Sequence, residues 1–248
     1  MLRLISGALA ALLVAPLTAA ASNFTVTPTE INLSASATSA LVTLRNLSKA
    51  PLRFEITVFT WSEDERGTMI LKPSSDVTFF PKLVELAGGT SRNIRIGFNA
   101  GAARDVEQSF RLFVEELPDQ STPASNAVAI RTKIGIPVFV RPAKPARTAV
   151  LEGVTIEGGR VRARVRNTGN LHINVENIAI KGTGASNAPT FSKDGPGWYV
   201  LPGATRVFEV PMTAGECGST TAVAVEVFGH NTSLKGAGQV SPAACAAR

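Results

Sequence analysis

Between positions 126 and 142 the side chains alternate in character. Val128, Ile130, Ile134 and Ile136 stand at even positions, with Thr132 the polar member of the row, while Arg131 and Lys133 stand at odd positions beside Ala127, Ala129 and Gly135. A period of two makes a strand with one apolar side and one small or basic side. Pro137 has no N–H to give a ladder, which argues for a sheet edge or the end of the strand. A long apolar edge is a hazard that proteins normally blunt. Left bare, it is a surface on which another chain can add a strand.

The same short period recurs along the chain, at 25–33, 40–44, 52–61, 93–98, 110–116, 161–166, 173–180, 206–210 and 222–228. Turn signals separate these segments, among them Arg66-Gly67, Gly88-Gly89, Gly158-Gly159, Gly169-Asn170 and Pro202-Gly203. No stretch carries a long helical period. The pattern predicts an all-β protein of two immunoglobulin-like β-sandwich domains. Residues 141–147 hold Pro142 and Pro145 and form the short, stiff linker that joins them, which gives domains at 22–142 and 147–248. A strand ending in Arg-Asn occurs in each half, at Arg45-Asn46 and Arg166-Asn167, as duplication of one sandwich type or chance would give.

The beginning of the chain reads as a secretory signal over residues 1–21. Arg3 supplies the positive start, residues 4–17 are mostly apolar and short, and Ala19, Ala20 and Ala21 offer a cleavage site. No later run approaches a membrane span. The mature protein is therefore expected to be soluble and outside the cytoplasm, without stable membrane insertion. The net charge of +6 is spread along the chain, and Tyr199, Trp61 and Trp198 are not interleaved with basic clusters, so nucleic acid is not an expected partner. In an oxidising compartment Cys217 and Cys245 are most simply one disulfide. Without nearby histidines they make a poor zinc site, and no metal or cofactor is expected. His172 and His230 are the available bases, no nucleophile elbow or phosphate-cradling loop accompanies them, and Glu115 and Glu116 point to opposite faces of a strand, so no catalytic residue is assigned and no enzyme is expected.

With the strands placed, the chain resembles the periplasmic pilus-assembly (fimbrial) chaperones of the chaperone–usher pathway, the PapD-like proteins. Residues 107–118 resemble the penultimate strand of their first domain, closing here with Glu116, Leu117 and Pro118. The run Arg131, Thr132, Lys133 and Ile134, followed by Val140, Arg141 and Pro142, resembles their last strand and its Arg-Pro exit. Upstream, Gly88-Gly89 and the strand carrying Arg95 resemble a Pro-Gly turn and a strand with an arginine. Asn46 falls where the family has an Asn after its second strand. The second domain matches only in length, β character and late cysteines.

The resemblance implies periplasmic localisation and a mechanism. A pilus subunit is an incomplete sandwich, and the chaperone lends it a strand, with Val128, Ile130, Thr132, Ile134 and Ile136 as the row that enters the subunit's groove. Burying the four apolar members gains about 6–12 kcal/mol gross, whereas association costs about 4–15 kcal/mol. Ladder hydrogen bonds and a charged anchor must therefore contribute. The best-known branch of the family anchors the subunit's terminal carboxylate with an Arg and a Lys, but the matching seats here fall near Glu30 and on Gly135, neither of which is positive. That loss resembles the archaic branch, whose clients resemble spore-coat-protein-U-type pilins. Arg95, Arg92, Arg111 and Lys133 are the substitute anchors. Each also has a plainer role: Arg95 pairing with Glu107 or Glu116, Arg92 and Arg111 as solvated strand charges, Lys133 as an edge-protecting charge. Glu107 and Arg141 match an ion pair that holds the two domains at a fixed angle. The implied partners are pilus subunits and an outer-membrane usher. The alternative reading is a secreted two-domain binding module or adhesin, which requires an exposed aromatic loop built from Trp61, Trp198 or Tyr199.

Overall fold

Period-two alternation does put most of the chain into strands. A computed structural model describes residues 23–98, 105–118, 130–230 and 232–246. The first sandwich comprises β1 (Phe24–Thr27), β2 (Ile31–Leu33), β3 (Ser39–Asn46), β4 (Leu52–Glu63), β5 (Met69–Pro73), β6 (Val77–Phe80), β7 (Leu83–Leu86), β8 (Ser91–Phe98), β9 (Gln108–Glu116) and β10 (Lys133–Val140). The second comprises β11 (Ala149–Glu157), β12 (Arg160–Asn167), β13 (Ile173–Thr183), β14 (Pro189–Pro196), β15 (Tyr199–Val200), β16 (Thr205–Pro211), α1 (Ala214–Ser219), β17 (Ala222–Gly229) and β18 (Thr232–Gln239). The first domain packs a sheet ordered β1-β3-β8-β6 on one ordered β2-β10-β9-β4-β5, with β7 also on β4. The second packs β11-β12-β16 on β14-β13-β17-β18, with β15 on β13. Both are the immunoglobulin-like sandwiches expected.

The segment 25–33 is two strands rather than one. Pro28 cannot continue a ladder, so β1 edges one sheet while β2 crosses to the other and lies parallel to the last three residues of β10. On the inner faces, Phe110, Leu112 and Val114 of β9 meet Ile136, Val138 and Val140 of β10 in one buried cluster with Ile94 and Ile96 of β8. A separate cluster, including Val161, Val165, Ile178, Val223 and Val225, fills the second domain. Cys217 of α1 is bonded to Cys245 in the closing 3-10 turn. Sequence periodicity did not reveal α1, but its capping box did stand in the sequence: Thr213 accepts from the backbone N–H of Glu216, which reaches back to the N–H of Thr213.

The paired Arg-Asn positions prove to be one device used twice. Asn46 and Asn167 are fully buried. The Nδ2 of Asn46 donates to the carbonyls of Ala50 at 2.8 Å and Leu86 at 3.1 Å, and its Oδ1 accepts from the N–H of Ser48 at 2.9 Å. The Nδ2 of Asn167 donates to Leu171 at 2.7 Å and Val200 at 2.9 Å, and its Oδ1 accepts from Gly169 at 2.9 Å. In both, the side chain closes the turn after its strand and ties it to a distant segment. The shared bonding pattern supports a common sandwich type for the two domains.

Removing either amide takes away bonds to two carbonyls, those of Ala50 and Leu86 for Asn46 and of Leu171 and Val200 for Asn167. Asn46→Ala and Asn167→Ala should each lower unfolding free energy by about 1–3 kcal/mol. Urea titration followed by tryptophan emission checks this. Thr43→Ala, which loses only an exposed bond to Asn93, should change little.

Candidate functional site

β10 has two neighbours along only part of its length. β9 pairs with it from Lys133↔Glu115 to Val140↔Gln108. On the other flank β2 covers only Val138, Phe139 and Val140, and among the described residues no strand pairs beside Lys133 to Pro137. The N–H of Glu116 donates to the carbonyl of Thr132 at 3.0 Å, which fixes the alternation of the ladder: even residues bond to β9, and Lys133, Gly135 and Pro137 direct their backbone groups to the bare flank. The ring nitrogen of Pro137 therefore sits where no ladder donor is used, so the proline breaks no bond.

The side chains of β10 divide between two environments. From Ile136 onward the even row enters the domain's own core: Ile136 is only 1% exposed. This removes Ile136 from the expected donor row, because the β9 ladder carries that part of the strand inside the sandwich. Ile134 is half-buried at the rim of the same cluster and Thr132 is half-buried. Ile130 stands 51% exposed ahead of the strand. Val128 lies outside the described residues.

The odd row lies on the opposite face, on which Trp61 and Phe139 meet the second domain. Phe59, Trp61 and Glu63 of β4, Arg111 and Phe113 of β9, and Lys133 and Gly135 of β10 share this face by the strand period. Phe113 lies so close to Gly135 that a Cβ there would meet the ring at 2.9 Å. The seat that resembles the family's last-strand lysine is thus occupied by an aromatic ring. Lys133 bonds Glu115 at 2.7 Å on the exposed rim, and this ion pair holds the Glu115 carboxyl below its ordinary value. Glu116 is buried on the opposite side of its strand, as the period required.

Arg111 is the unusual member. It is only 5% exposed, and its guanidinium carbon stands 3.9 Å from the Trp61 ring centroid, 5.7 Å from Trp198 and 5.9 Å from Tyr199. Nη1 donates to the carbonyl of Gly135 at 3.3 Å, while Nε and Nη2 have no partner. Burial pulls its pKa below the ordinary arginine value, against Tyr199 and Glu63. A solvated strand charge, the plainer sequence reading, does not describe this residue. Arg92 and Arg95, by contrast, are exposed on β8 in the other sheet, with Arg95 paired across to Leu41 and Phe80. The sheet change takes both away from β10, and neither is a cleft anchor.

Between the domains, Trp61 and Phe139 pack with Leu201 in a small buried cluster. The His172 ring stacks on Phe139 at 3.7 Å. Glu107 does bridge the domains, but to His172 rather than Arg141. Its Oε1 accepts from the backbone N–H of His172 at 2.9 Å and lies 2.8 Å from Nδ1. Arg141 follows β10 past β2, and its Nε donates to Asn32 at 3.1 Å. Asn170 secures the linker, donating to the carbonyls of Asp105 and Lys144 and accepting from the N–H of Ala146. At the far side the β4–β5 hairpin docks on β12 and β16. Arg164 grips Glu65 with two bonds at 2.6 and 2.7 Å, and Arg206 bonds Glu63 at 2.9 Å. Gly67 at the hairpin tip has φ +78, and a Cβ there would collide with the Arg206 guanidinium.

Residues 23–146 match the family model described as the pili and flagellar-assembly chaperone, PapD N-terminal domain. The chain belongs to this pilus-assembly chaperone family. No curated protein matches it in sequence. In structure it is similar to a chain of the CsuC-CsuE chaperone-tip adhesion subunit pre-assembly complex from archaic chaperone-usher Csu pili of Acinetobacter baumannii. The TM-score is 0.60 at 18% identity, over 86% of this chain and 98% of that one. It is also similar to the YadV chaperone, with TM-score 0.56 at 15% identity over 87% and 98% of the chains. A third similarity is to the complex of Salmonella enterica SafA pilin with the SafB chaperone, with TM-score 0.55 at 14% identity over 88% and 98%. At such identities the likeness is one of fold, and that fold is the two-domain sandwich of pilus chaperones.

Within this chaperone fold, the interdomain residues Glu63 and Arg206 were not singled out from sequence, and His172 and Trp198 entered only as an available base and as a candidate for the aromatic loop of the alternative reading. Each sits in a segment whose period specifies a strand or turn but not which domain its side chain will meet. Among the described residues no cluster of His, Cys, Asp or Glu is arranged to hold a metal, and no helix is long and apolar enough to cross a membrane.

A buried guanidinium with two unpartnered nitrogens is costly, and cation–π contacts return only about 2 kcal/mol. Arg111→Met keeps the stem and discards the charge, so it should raise unfolding free energy by about 1–2 kcal/mol, as replacement of buried ionic groups by apolar ones often does. Urea denaturation of the variant checks this. An unchanged or lower midpoint would mean that the three rings compensate the charge in full.

Proposed function

We propose that the chain is a periplasmic chaperone of the archaic branch that folds and caps pilus subunits by donor-strand complementation and delivers them to an outer-membrane usher. The observation that carries this reading is the bare flank of β10 beside Lys133, Gly135 and Pro137, with exposed Ile130 leading into it. A subunit lacking its final strand would pair with that flank, taking Val128, Ile130 and Thr132 into its groove and meeting Ile134 at the rim. The likeness of fold to chaperones held with a pilin or a tip subunit supports this. The archaic assignment and spore-coat-protein-U-like clients are supported by Glu30 and Gly135, which leave the usual anchoring seats without a positive charge. Residues 1–21 act as the export signal in this reading, and 22–142 and 147–248 are the working domains.

The flank also has a defined end. A strand laid parallel to β10 runs out of free edge at Val138, where β2 begins. Its C-terminus then lies beside Arg111, which stands opposite Pro137 in the ladder. Of the four basic candidates Arg111 has unpartnered donors at that point, so it is the proposed seat for the client's carboxylate, with Lys133 on the rim.

Affinity-tagged protein from a periplasmic extract should retain a small β-rich subunit in a one-to-one complex. Ile130→Arg places a charge in the donor row at a site exposed in the free chaperone, so it should abolish capture while leaving the melting curve unchanged. Retention of the subunit by a folded Ile130→Arg variant would refute donor-strand capture.

A further inference from the structure

Arg111 has an acidic residue close to hand that it does not pair with. Glu63 lies two positions beyond Trp61 on the same face of β4, and the Arg111 guanidinium lies on Trp61 itself. Each of the two charges acts on the pKa of the other. A carboxylate so near a buried cation with two free donors is its natural partner. Both oxygens of Glu63 are instead committed to the second domain. Oε1 accepts from the backbone N–H of Leu201 at 3.0 Å, and Oε2 accepts from Nη1 of Arg206 at 2.9 Å. The Glu63 side chain is 0% exposed, so no solvent substitutes for those partners.

Arg206 is itself held in place. Its guanidinium lies over the close-fitting Gly67 turn and 6.0 Å from the Trp198 centroid. The neighbouring Val207 N–H donates to the carbonyl of Glu65 at 2.8 Å. Trp198 thus stands near both arginines, 5.7 Å from Arg111 on one side.

We infer that the second domain withholds Glu63 from Arg111, through Arg206 and the Leu201 N–H, and so keeps Arg111 vacant for the free C-terminal carboxylate of a bound polypeptide strand. The inference rests on the reading of Arg111 as the carboxylate seat. Arg206 is then a positioning residue that touches neither the client nor Arg111. The same arrangement couples the joint to release: parting the domains frees Glu63, which takes Arg111 and displaces the carboxylate. A role for the second domain in client retention follows without any direct contact to the client.

The test uses the full mature chain and two N-terminally labelled nonapeptides of alternating Val and Thr, one ending in a free carboxylate and one amidated, followed by fluorescence anisotropy. Wild type should prefer the acid by about tenfold, since a charge-assisted bond exceeds a neutral one by about that factor. Arg206→Gln should reduce the preference to near parity, because the released Glu63 occupies Arg111. Glu63→Gln should keep or enlarge it, and the double variant Glu63→Gln/Arg206→Gln should restore it. Arg206 acting only as structural glue predicts a double variant no better than Arg206→Gln. A preference that survives Arg206→Gln, disappears in Glu63→Gln, or fails to return in the double variant overturns the inference. A wild type without preference, or an Arg111→Gln variant that keeps it, overturns the carboxylate seat beneath it. Donor-strand capture is judged separately by Ile130→Arg.

Discussion

β10 is shared between two obligations, and the rest of the site follows from where the division falls. Its last three residues lie between β9 and β2 and are as buried as any strand in the domain. Its first five have β9 alone. The division is made by Pro28, which ends β1 and sends the chain across to begin β2 only at Ile31. A β2 extended by five residues toward its N-terminus would cover β10 from Lys133 to Pro137 and close the sheet, since the parallel register pairs Ile31 with Val138. The free edge is therefore a consequence of where a proline interrupts an alternating segment at the other end of the domain. Edge strands of this kind are usually protected by charge, and here Lys133, paired to Glu115, supplies the protection at the rim without covering the backbone.

The second constraint is electrostatic. Glu107, Glu63 and Glu65 reach from the first domain, and each is received by the second: His172, Arg206 with the Leu201 N–H, and Arg164. The buried acids Glu107 and Glu63, with the exposed Glu65, are thereby consumed at the joint, while Arg111 is left with only a carbonyl and three aromatic rings. A domain optimised for its own stability would pair Arg111 with Glu63. Burial pushes the Glu63 carboxyl above its ordinary value, against the Leu201 N–H and Arg206, so its ionised form carries a cost even where it is bonded. Both costs are retained at one place, where a strand laid on the bare flank would end.

Much of the fold was legible because alternation reports directly on strands, and the buried clusters contain the apolar positions that the period selects. The shared Arg-Asn ending was visible as a pattern, though its content, an amide that bonds i+4 and a remote carbonyl, required coordinates. β5, β6, β7, β11, β14, β15 and β18 escaped notice. In β18 this is because Gly236 and Gly238 stand where packing against Leu151 and Ile156 leaves little room for a side chain, and glycines read as turns. Of the proposed anchors, Lys133 and Arg111 share the cleft face and Arg92 and Arg95 do not, because strand period assigns a face but not a sheet. The Arg141 partnership for Glu107 failed for a related reason. A residue just beyond a strand is placed by what the strand pairs with, and β10 ends beside Leu33 of β2, within reach of Asn32.

With Ile136 committed to its own core, the energetics of lending a strand become tighter. Val128, Ile130 and Ile134 together offer about 4.5–9 kcal/mol gross on full burial, and Ile134 already yields part of its share at home. Set against about 4–15 kcal/mol for association, the side chains alone would leave a client bound weakly or not at all. In the proposed mechanism the balance comes from backbone bonds on the bare flank and from a carboxylate at Arg111, a site that burial shields from water. A chaperone that must release its client gains from this division. Under the proposed mechanism the apolar row would select a partner with an unfilled groove, whereas the charge, controlled from the other domain, would set how long it stays.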